Sequence, residues 1–282
     1  MHYSTAQSLL FTFLVSAAAI TARAQEATST PSTTQPAVGH FAFRETLRYT
    51  RQGTDPMNSD RHGEMLISQS TLQYGVLSNL SVTLDVPTVL LDSRTTLGGR
   101  RDTDSGVADL SLYAKWRVWQ LDSSPLNTTR LSLLGGAELP SGDGTYSSES
   151  VDPFAGIVLM TIQDRWGFTQ ALRYKFNTAG EGHGTRLAGD TAADALRHDT
   201  AVLYRVDPAR YSATTEAASY FMLELNGLYE TSGDYELHVS PGFLYEARTF
   251  AAEISVLLPA YEHVRHRAAT SIGVSVGIRF LF

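Results

Sequence analysis

The last residues of the chain, Ser271 to Phe282, read SIGVSVGIRFLF, and this stretch decides the fold. One parity is apolar throughout and comprises Ile272, Val274, Val276, Ile278, Phe280 and Phe282. The other parity consists mainly of serine, glycine and arginine. Successive side chains of a strand point to opposite faces, so an apolar period of two predicts a β-strand. Such a strand, ending on an aromatic residue, is typical of a wall with lipid on one side and a polar lumen on the other.

The same period recurs from His40 onward, for example along 109–118 and 235–246. The predicted strands lie at 40–51, 64–76, 79–91, 106–121, 127–139, 153–163, 165–178, 196–206, 217–230, 234–246, 249–259 and 267–282. The predicted fold class is all-β, a transmembrane antiparallel up-and-down β-barrel of about 12 strands over residues 40–282. The alternation alone also fits a soluble sandwich with its polar face outward, so loop lengths have to decide between the two.

The connections between the predicted strands alternate in length. Long ones lie at 52–63, 92–105, 140–152 and 179–195, and short ones at 77–78, 122–126 and 164. Outer-membrane barrels have short periplasmic turns and longer external loops, which favours the barrel. The barrel must be closed, because no strand edge can stay unpaired in hydrocarbon. Segments 207–216 and 231–233 depart from this alternation, and the strand at 196–206 has the weakest pattern.

The N-terminal region predicts export. Residues 1–24 have the form of a signal peptide, with an apolar run at Leu9 to Ile20 and a small-x-small cleavage site, Ala22-Arg23-Ala24. The run is too short for a spanning helix, which needs about 20 residues. Residues 25–39, rich in Ser, Thr, Pro and Ala, predict a flexible periplasmic leader. A plug inside the barrel is the alternative, which the lack of an apolar anchor disfavours.

Composition narrows the choice of partners. Loss of residues 1–24 removes one arginine, leaving 21 basic residues against 29 acidic ones and a net charge of about −8. That charge argues against nucleic acid as a partner. The chain has no cysteine, so its backbone ladder and packing must hold the exported fold.

Several short motifs appear in a characteristic order. They are Tyr74-Gly75 leading to Val86-Pro87, the stretch 106–115 (GVADLSLYAK), the stretch 136–142 (GAELPSG) followed by Asp152-Pro153, the stretch 223–227 (LELNG) and Pro241-Gly242. In this order they resemble a family of outer-membrane barrels named for the meta-pathway of phenol degradation. Ser141 stands where the family usually has threonine, and Pro241 is an unusual neighbour for the later glycine. The resemblance covers roughly residues 40–282.

The resemblance implies an outer-membrane location in a Gram-negative-type bacterium. It also implies passage of small, often aromatic or apolar compounds, and it supplies no catalytic residues. A further implication is that the barrel-assembly machinery recognises the terminal strand through its aromatic residues, Phe280 and Phe282.

Charged residues on the predicted inward parity are the candidate lumen-lining set. They are Arg44, Arg48, Asp85, Asp109, Lys115, Arg117, Glu138, Arg173, Lys175, Glu224, Glu236, Glu253 and Arg279. One interpretation is a field across a pore, with Glu224, Glu236 and Glu253 as one acidic wall facing Arg44, Arg48 and Arg279. The other is a filled interior in which ion pairs neutralise buried charge. Opposite signs on adjacent strands favour ion pairs for most of the set.

These observations predict a channel or transporter for small, apolar or aromatic solutes, with outer-membrane lipids and the assembly machinery as partners. The alternative is a closed-lumen structural or surface-binding barrel acting through loops 92–105 and 179–195. A third hypothesis is a membrane-embedded hydrolase using the external histidines, His62, His183, His263 or His266. We expect no enzyme, no catalytic residues, no cofactor and no metal site.

Overall fold

The computed structural model describes residues 25–57, 61–96, 98–124, 126–179, 187–212 and 214–282. The predicted signal peptide therefore lies outside the described residues. The strands are β1 (Phe41–Gln52), β2 (Arg61–Leu77), β3 (Leu80–Thr96), β4 (Arg101–Val107), β5 (Leu110–Ser124), β6 (Asn127–Leu139), β7 (Asp152–Gln163), β8 (Trp166–Lys175), β9 (Ala195–Asp207), β10 (Ala217–Glu230), β11 (Tyr235–Ala247), β12 (Phe250–His263) and β13 (Thr270–Leu281). A short 3₁₀ helix, Gly144–Tyr146, lies between β6 and β7. No helix among these residues is long and apolar enough to cross a membrane.

The sheet closes on itself. All strand pairings are antiparallel and join sequence neighbours, except that β4 and β5 both pair with β3 rather than with each other, and β1 pairs with both β2 and β13. Strands β4 and β5 pair with different parts of β3. Thr88 of β3 pairs with Val107 of β4, whereas Asp85 of β3 pairs with Ser111 of β5. The prediction of an antiparallel barrel of about 12 strands is confirmed, and β4 is an extra strand that was not predicted. The predicted fourth strand, 106–121, is interrupted at Ala108 and Asp109.

The outer surface of the wall is apolar. In β13, Ile272, Val276 and Ile278 are exposed, whereas Ser275 and Arg279 are buried. Large aromatic side chains such as those of Trp166, Tyr229 and Tyr261 are also exposed, near strand ends. An exposed apolar belt with aromatic margins is what a lipid-facing barrel presents, so the alternative of a sandwich with a polar exterior is excluded.

Loop lengths define the two ends of the barrel. The long connections 53–60, 140–151 and 176–194 lie at one end, and the turns 78–79, 164–165 and 248–249 lie at the other. We call the first end external and the second periplasmic, following the rule for outer-membrane barrels. The predicted loop 92–105 is mostly strand, since β3 runs to Thr96 and β4 starts at Arg101. The weakly patterned strand at 196–206 is β9, which is paired on both sides.

The inside–outside assignment can be tested with arginine substitutions. Val276→Arg should destabilise the barrel by about 2–4 kcal/mol, because the charge would enter hydrocarbon. The matched control is Ser111→Arg, because Ser111 lies on the inner face between Asp85 and Glu138 of the adjacent strands. Urea unfolding in detergent micelles or bilayers measures both changes. Equal losses for the two variants would contradict the assignment.

Candidate functional site

Residues 25–37, the N-terminal segment, lie inside the barrel in its periplasmic half. Gln25, Thr28, Thr30 and Thr33 of the segment are buried. This position differs from the flexible periplasmic leader predicted from composition and corresponds to the plug alternative. An apolar anchor is not required, because charged side chains of the wall hold the segment by its backbone.

The carboxylate of Glu224, on β10, is the main attachment point. It is fully buried and accepts hydrogen bonds from the backbone N–H groups of Thr28 (3.2 Å), Ser29 (3.0 Å) and Thr30 (2.7 Å). The hydroxyl of Thr30 donates a further bond at 2.8 Å. Consecutive N–H groups that converge on one anion form a nest, and bonds to an ionised acceptor are about twice as strong as neutral ones. Glu224 therefore fixes the middle of the segment.

Cationic side chains of the wall grip the segment from other directions. These contacts join Arg44 to the carbonyl oxygens of Ala27 (3.0 Å) and Thr28 (2.7 Å), Arg48 to Ser29 Oγ (2.8 Å), Lys115 to the carbonyl oxygen of Ser32 (3.0 Å) and Arg279 to the carboxylate of Glu26. The donors come from three different strands, so the segment is fixed across the lumen. Its attachment is mainly polar, with Ala27 as an apolar contact in a cluster that includes Leu203 and Tyr220.

At the periplasmic end, the backbone that follows the segment packs closely against the backbone of β2. Val38 forms a parallel bridge with Gly75 of β2, and Gly39 N–H donates to the carbonyl oxygen of Gly75 at 2.8 Å. A Cβ atom on Gly75 would lie 2.2 Å from the carbonyl oxygen of Ala37. The Tyr74-Gly75 motif therefore has a steric role, since a side chain on residue 75 would exclude the segment.

The three glutamates predicted to form one acidic wall have separate partners. Glu253 pairs with Arg44, Glu236 accepts a bond from Arg267 Nη1 at 2.6 Å, and Glu224 holds the N-terminal segment. The predicted pairing of these glutamates with arginines of β1 and β13 holds for Glu253 with Arg44, whereas Glu224 and Glu236 bind groups that were not predicted. The partners of Glu236 and Glu224 come from the loop before β13 and from the segment, respectively, which strand parity does not reveal.

At the external end, residues 187–194, the outer segment, fold inward over the lumen. The carboxylate of Glu230 accepts bonds from Gly189 N–H (3.2 Å), the Thr191 hydroxyl (2.9 Å) and Arg267 Nε (2.7 Å). Lys175 pairs with Asp190 of the segment and with Glu138 of β6 at 3.0 Å. Leu187 is buried in a small apolar cluster with Met65, Val89, Ala108 and Tyr146. These contacts hold the outer segment across the mouth.

Two of the sequence motifs meet beside this mouth. The buried carboxylate of Asp109 accepts backbone N–H bonds from Ser141 (2.9 Å), Gly142 (2.7 Å) and Ser148 (2.6 Å). A Cβ atom on Gly142 would lie 2.8 Å from the carbonyl oxygen of Tyr146. The 106–115 and 136–142 motifs thus shape the external loop between β6 and β7, and Asp109 serves mainly as the organiser of that loop.

A cavity of about 470 Å³ lies between the two segments. Its wall includes the side chains of Arg48, Asp85, Tyr113, Phe154, Arg173 and Arg197. A smaller cavity of about 170 Å³ lies towards the exterior and shares Gln52, Ala188 and Thr270 with the larger one. The shared residue Ala188 belongs to the outer segment, which separates the two spaces. The larger space, called the chamber below, is within the range of small-molecule sites.

Most of the candidate lumen-lining residues reach the chamber. Those at its wall are Arg44, Arg48, Asp85, Asp109, Lys115, Glu138, Arg173, Lys175, Glu236 and Arg279. Glu224 and Glu253 are buried and not among the groups at the chamber wall. Arg117 lies near the periplasmic rim and donates to the carbonyl oxygen of Ser78.

Arg197 and Asp199 also line the chamber, and the sequence reading missed them. In this part of β9 both faces of the strand carry polar residues, because His198 and Thr200 alternate with Arg197 and Asp199. Without an apolar face, the inward side of β9 has no signal in the sequence. Phe154 and Tyr113 were missed because only charged residues were treated as candidates.

Of the external histidines, His266 holds two loops together. His266 Nδ1 lies 2.9 Å from Asp234 Oδ1, and the N–H groups of Arg265 and His266 donate to the same carboxylate. Burial would raise the pKa of Asp234, but these bonds outweigh it and hold the pKa below its ordinary value. His183 lies outside the described residues. Among the described residues, no group of His, Cys, Asp and Glu is arranged to hold a metal ion.

Fold and lumen together define an outer-membrane β-barrel. The chain belongs to the MetA-pathway of phenol degradation family, whose pattern matches residues 65–246. Among solved structures, the chain is similar to the COG4313 outer membrane channel from Pseudomonas putida F1, with a TM-score of 0.58 and 10% identity over 91% of this chain and 100% of that one. No curated protein matches the sequence.

Two further structures are similar at a lower level. The NanC porin has a TM-score of 0.46 and 12% identity over 85% of this chain and 98% of that one. The CymD monoaromatic hydrocarbon channel has a TM-score of 0.44 and 9% identity over 88% of this chain and 89% of that one. At these identities the likeness concerns the fold alone.

The steric role of Gly75 yields a prediction. Gly75→Val should displace the N-terminal segment, because the new side chain would occupy the place of the Ala37 carbonyl group. A cysteine placed at the buried position Thr30 should then react with a polar maleimide faster than in the parent barrel. Gly135→Val is the matched control, since nothing lies within 4 Å of a Cβ atom there. Unchanged labelling in Gly75→Val would contradict the steric role.

Proposed function

We propose that this barrel is a channel for small solutes, apolar or aromatic in character, which pass through the chamber. The observation that carries the proposal is the 470 Å³ cavity inside a closed outer-membrane barrel, with the N-terminal segment on its periplasmic side and the outer segment on its external side. A solute enters past the outer segment and leaves past the N-terminal segment. The chamber is the site at which it is held between these steps.

The way in which the N-terminal segment is attached supports passage of a solute. The N-terminal segment contributes no strand to the barrel ladder and is held mainly by bonds to Glu224, Arg44, Arg48 and Arg279. It can shift without opening a sheet edge to lipid. The energetic requirement is therefore to replace side-chain bonds, which water inside a lumen also supplies.

The wall of the chamber supports the solute class. The rings of Tyr113 and Phe154 are in edge contact, with centroids 5.5 Å apart, and Tyr113 packs against the buried residues Leu134 and Ala171. This side of the chamber is apolar in an otherwise polar lumen. The family description, which refers to phenol degradation, agrees with small aromatic compounds, and the similar fold of an outer membrane channel agrees with transport.

A closed structural or surface-binding barrel, acting through its external loops, is the second candidate. It is favoured by the pairing of interior charges, such as Arg44 with Glu253 and Lys175 with Glu138. Buried pairs of this kind fit a filled lumen as well as a pore wall. We further propose that the chain has no catalytic role and needs no cofactor.

Conductance measurements on the purified barrel test the channel. Glu224→Gln should raise single-channel conductance and the rate of solute-driven liposome swelling severalfold. The amide that replaces the carboxylate carries N–H donors where three backbone N–H groups converge, so the N-terminal segment loses its anchor. Glu262→Gln, at an exposed position near the external end, is the control for the charge change. No conductance in any of these barrels, with folding verified by heat-modifiable mobility, would favour the closed structural barrel.

Export and assembly complete the proposal. Residues 1–24 direct export, lipids of the outer membrane surround the apolar belt, and the barrel-assembly machinery recognises the terminal strand through Phe280 and Phe282. Phe282 supports this assignment, because its side chain is 60% exposed while its backbone bonds to Phe41 in both directions. The aromatic group is thus available to another protein until lipid covers it.

Deletion of Phe282 tests the assembly role. The inserted amount in cells should fall much more than the yield of refolding into detergent, because only the cellular route uses recognition. Phe282→Tyr, which keeps an aromatic ring, is the control and should insert normally. An equal fall in cells and in detergent would show that Phe282 contributes to stability alone.

A further inference from the structure

We propose that the chamber holds a specific binding site for a small aromatic carboxylate, with the negative charge held between Arg48, Arg173 and Arg197. The inference rests on the proposed function, because it names the chemical class of solute that the chamber accepts. Its evidence is the placement of three arginines whose donors face the cavity.

The first observation is a pair of like charges in the wall. Arg173 of β8 and Arg197 of β9 are direct partners in the strand register, and both line the chamber. Like charges directly opposite each other in adjacent strands are destabilising. Each guanidinium repels the other, so an anion between them is favoured.

The third arginine comes from the other side of the barrel. Arg48 lies on β1, which is diametrically opposite β8 when β4 and β5 are counted as one wall position. Its side chain bonds to the hydroxyls of Ser275 at 3.1 Å and Ser29 at 2.8 Å, both neutral groups. The positive charges of Arg48 and Arg197 also repel each other across the lumen.

These arginines retain free donor capacity. Within the described part of the chain, Arg173 donates no hydrogen bond, and its guanidinium lies over the ring of Phe154, 5.3 Å from the centroid. Arg197 donates one bond, to the carbonyl oxygen of Ala188 at 2.7 Å. None of the three forms an ion pair with a described carboxylate. A guanidinium has five donors, and two of them can bind one carboxylate in a fork.

The nearby carboxylates attract the arginines electrostatically, Asp190, Asp199 and Glu230 acting on Arg197 and Asp85 and Asp199 on Arg173, but their hydrogen bonds go to other groups. Asp85 accepts the hydroxyl of Thr71 at 2.6 Å, and Asp199 accepts the side-chain amide of Asn226 at 3.0 Å. Glu224 acts favourably on Arg48, but the N-terminal segment takes up its oxygens. These acids moderate the positive field without filling the donors that face the chamber.

The remainder of the ligand follows from the apolar side of the chamber. Phe154 contacts both Tyr113 and the guanidinium of Arg173, so an aromatic surface adjoins the positive centre. A planar ring bearing a carboxylate can place its charge on the arginines and its ring against these side chains. An inorganic anion would leave the aromatic surface unused, and a neutral aromatic compound would leave the arginines unused.

The experiment is equilibrium dialysis of radiolabelled benzoate against the purified full-length barrel in neutral detergent. Benzamide, which has the same shape without the charge, and acetate, which lacks the ring, are tested as competitors. We expect saturable binding of benzoate, with both competitors at least about tenfold weaker, because a charge-assisted bond contributes more than the free energy of that ratio.

Two variants locate the site. Arg173→Gln and Arg197→Gln should each weaken benzoate binding by at least about tenfold while the barrel still folds, because each change relieves the like-charge pair. Arg51→Gln, at an exposed position on β1, is the control and should leave binding unchanged. Heat-modifiable mobility on gels verifies folding, and two separate variants keep the test open if one of them fails to fold.

The outcomes separate this inference from the channel itself. Benzoate binding no tighter than benzamide, equal competition by acetate, or unaltered binding in both folded variants would overturn the inference. Conductance in a barrel that does not bind benzoate would support the channel and contradict the proposed aromatic carboxylate site. Specific benzoate binding in a barrel without conductance would contradict the channel and support the binding site.

Discussion

Closure of the backbone ladder is the constraint on which the rest of this structure depends. Strand β1 pairs with β13 from Ala42 opposite Leu281 to Gln52 opposite Thr270, so the wall closes, and among the described strands only β4 pairs on one side alone. In hydrocarbon an unpaired backbone group costs several kcal/mol, and a closed wall satisfies them all. The same closure divides every strand between lipid and lumen. Apolar side chains occupy the outer face, and almost every charge within the membrane must be accommodated inside.

The interior meets that requirement with two kinds of contact. Ion pairs such as Arg44 with Glu253 neutralise charges of opposite sign from the wall itself. Other charges bind backbone groups of segments that fold into the lumen, as Glu224 binds the N-terminal segment and Glu230 binds the outer segment. Arg173 makes neither kind of contact among the described residues, and Arg197 makes a single bond to the carbonyl oxygen of Ala188, which distinguishes the chamber from the remainder of the lumen.

Much of the wall could be predicted from the sequence, because one face in lipid imposes a period of two that is readable strand by strand. The interruption of the predicted strand at Ala108 and Asp109 was not predicted, because it depends on bonds between the Asp109 carboxylate and the distant loop at Ser141 and Gly142. The lumen was less predictable. The N-terminal segment carries no apolar pattern, and its main attachment point, Glu224, is nearly two hundred residues away in the chain. Parity assigned Glu236 and Glu253 to the interior, but it contains no information about which partner reaches them.

The attachment of the N-terminal segment also has a consequence for the order of folding. The segment precedes β1, yet the separation in sequence between Thr28 and Glu224 is 196 residues. Lys115 of β5 and Arg279 of β13 contribute further contacts, so the groups that receive the segment converge only after the first and last strands have met. Contacts between such distant residues form late, because the entropy of closing the intervening chain opposes them. The chamber therefore acquires its inner boundary as a final event, after the wall is complete, and a newly closed barrel begins with its lumen unobstructed.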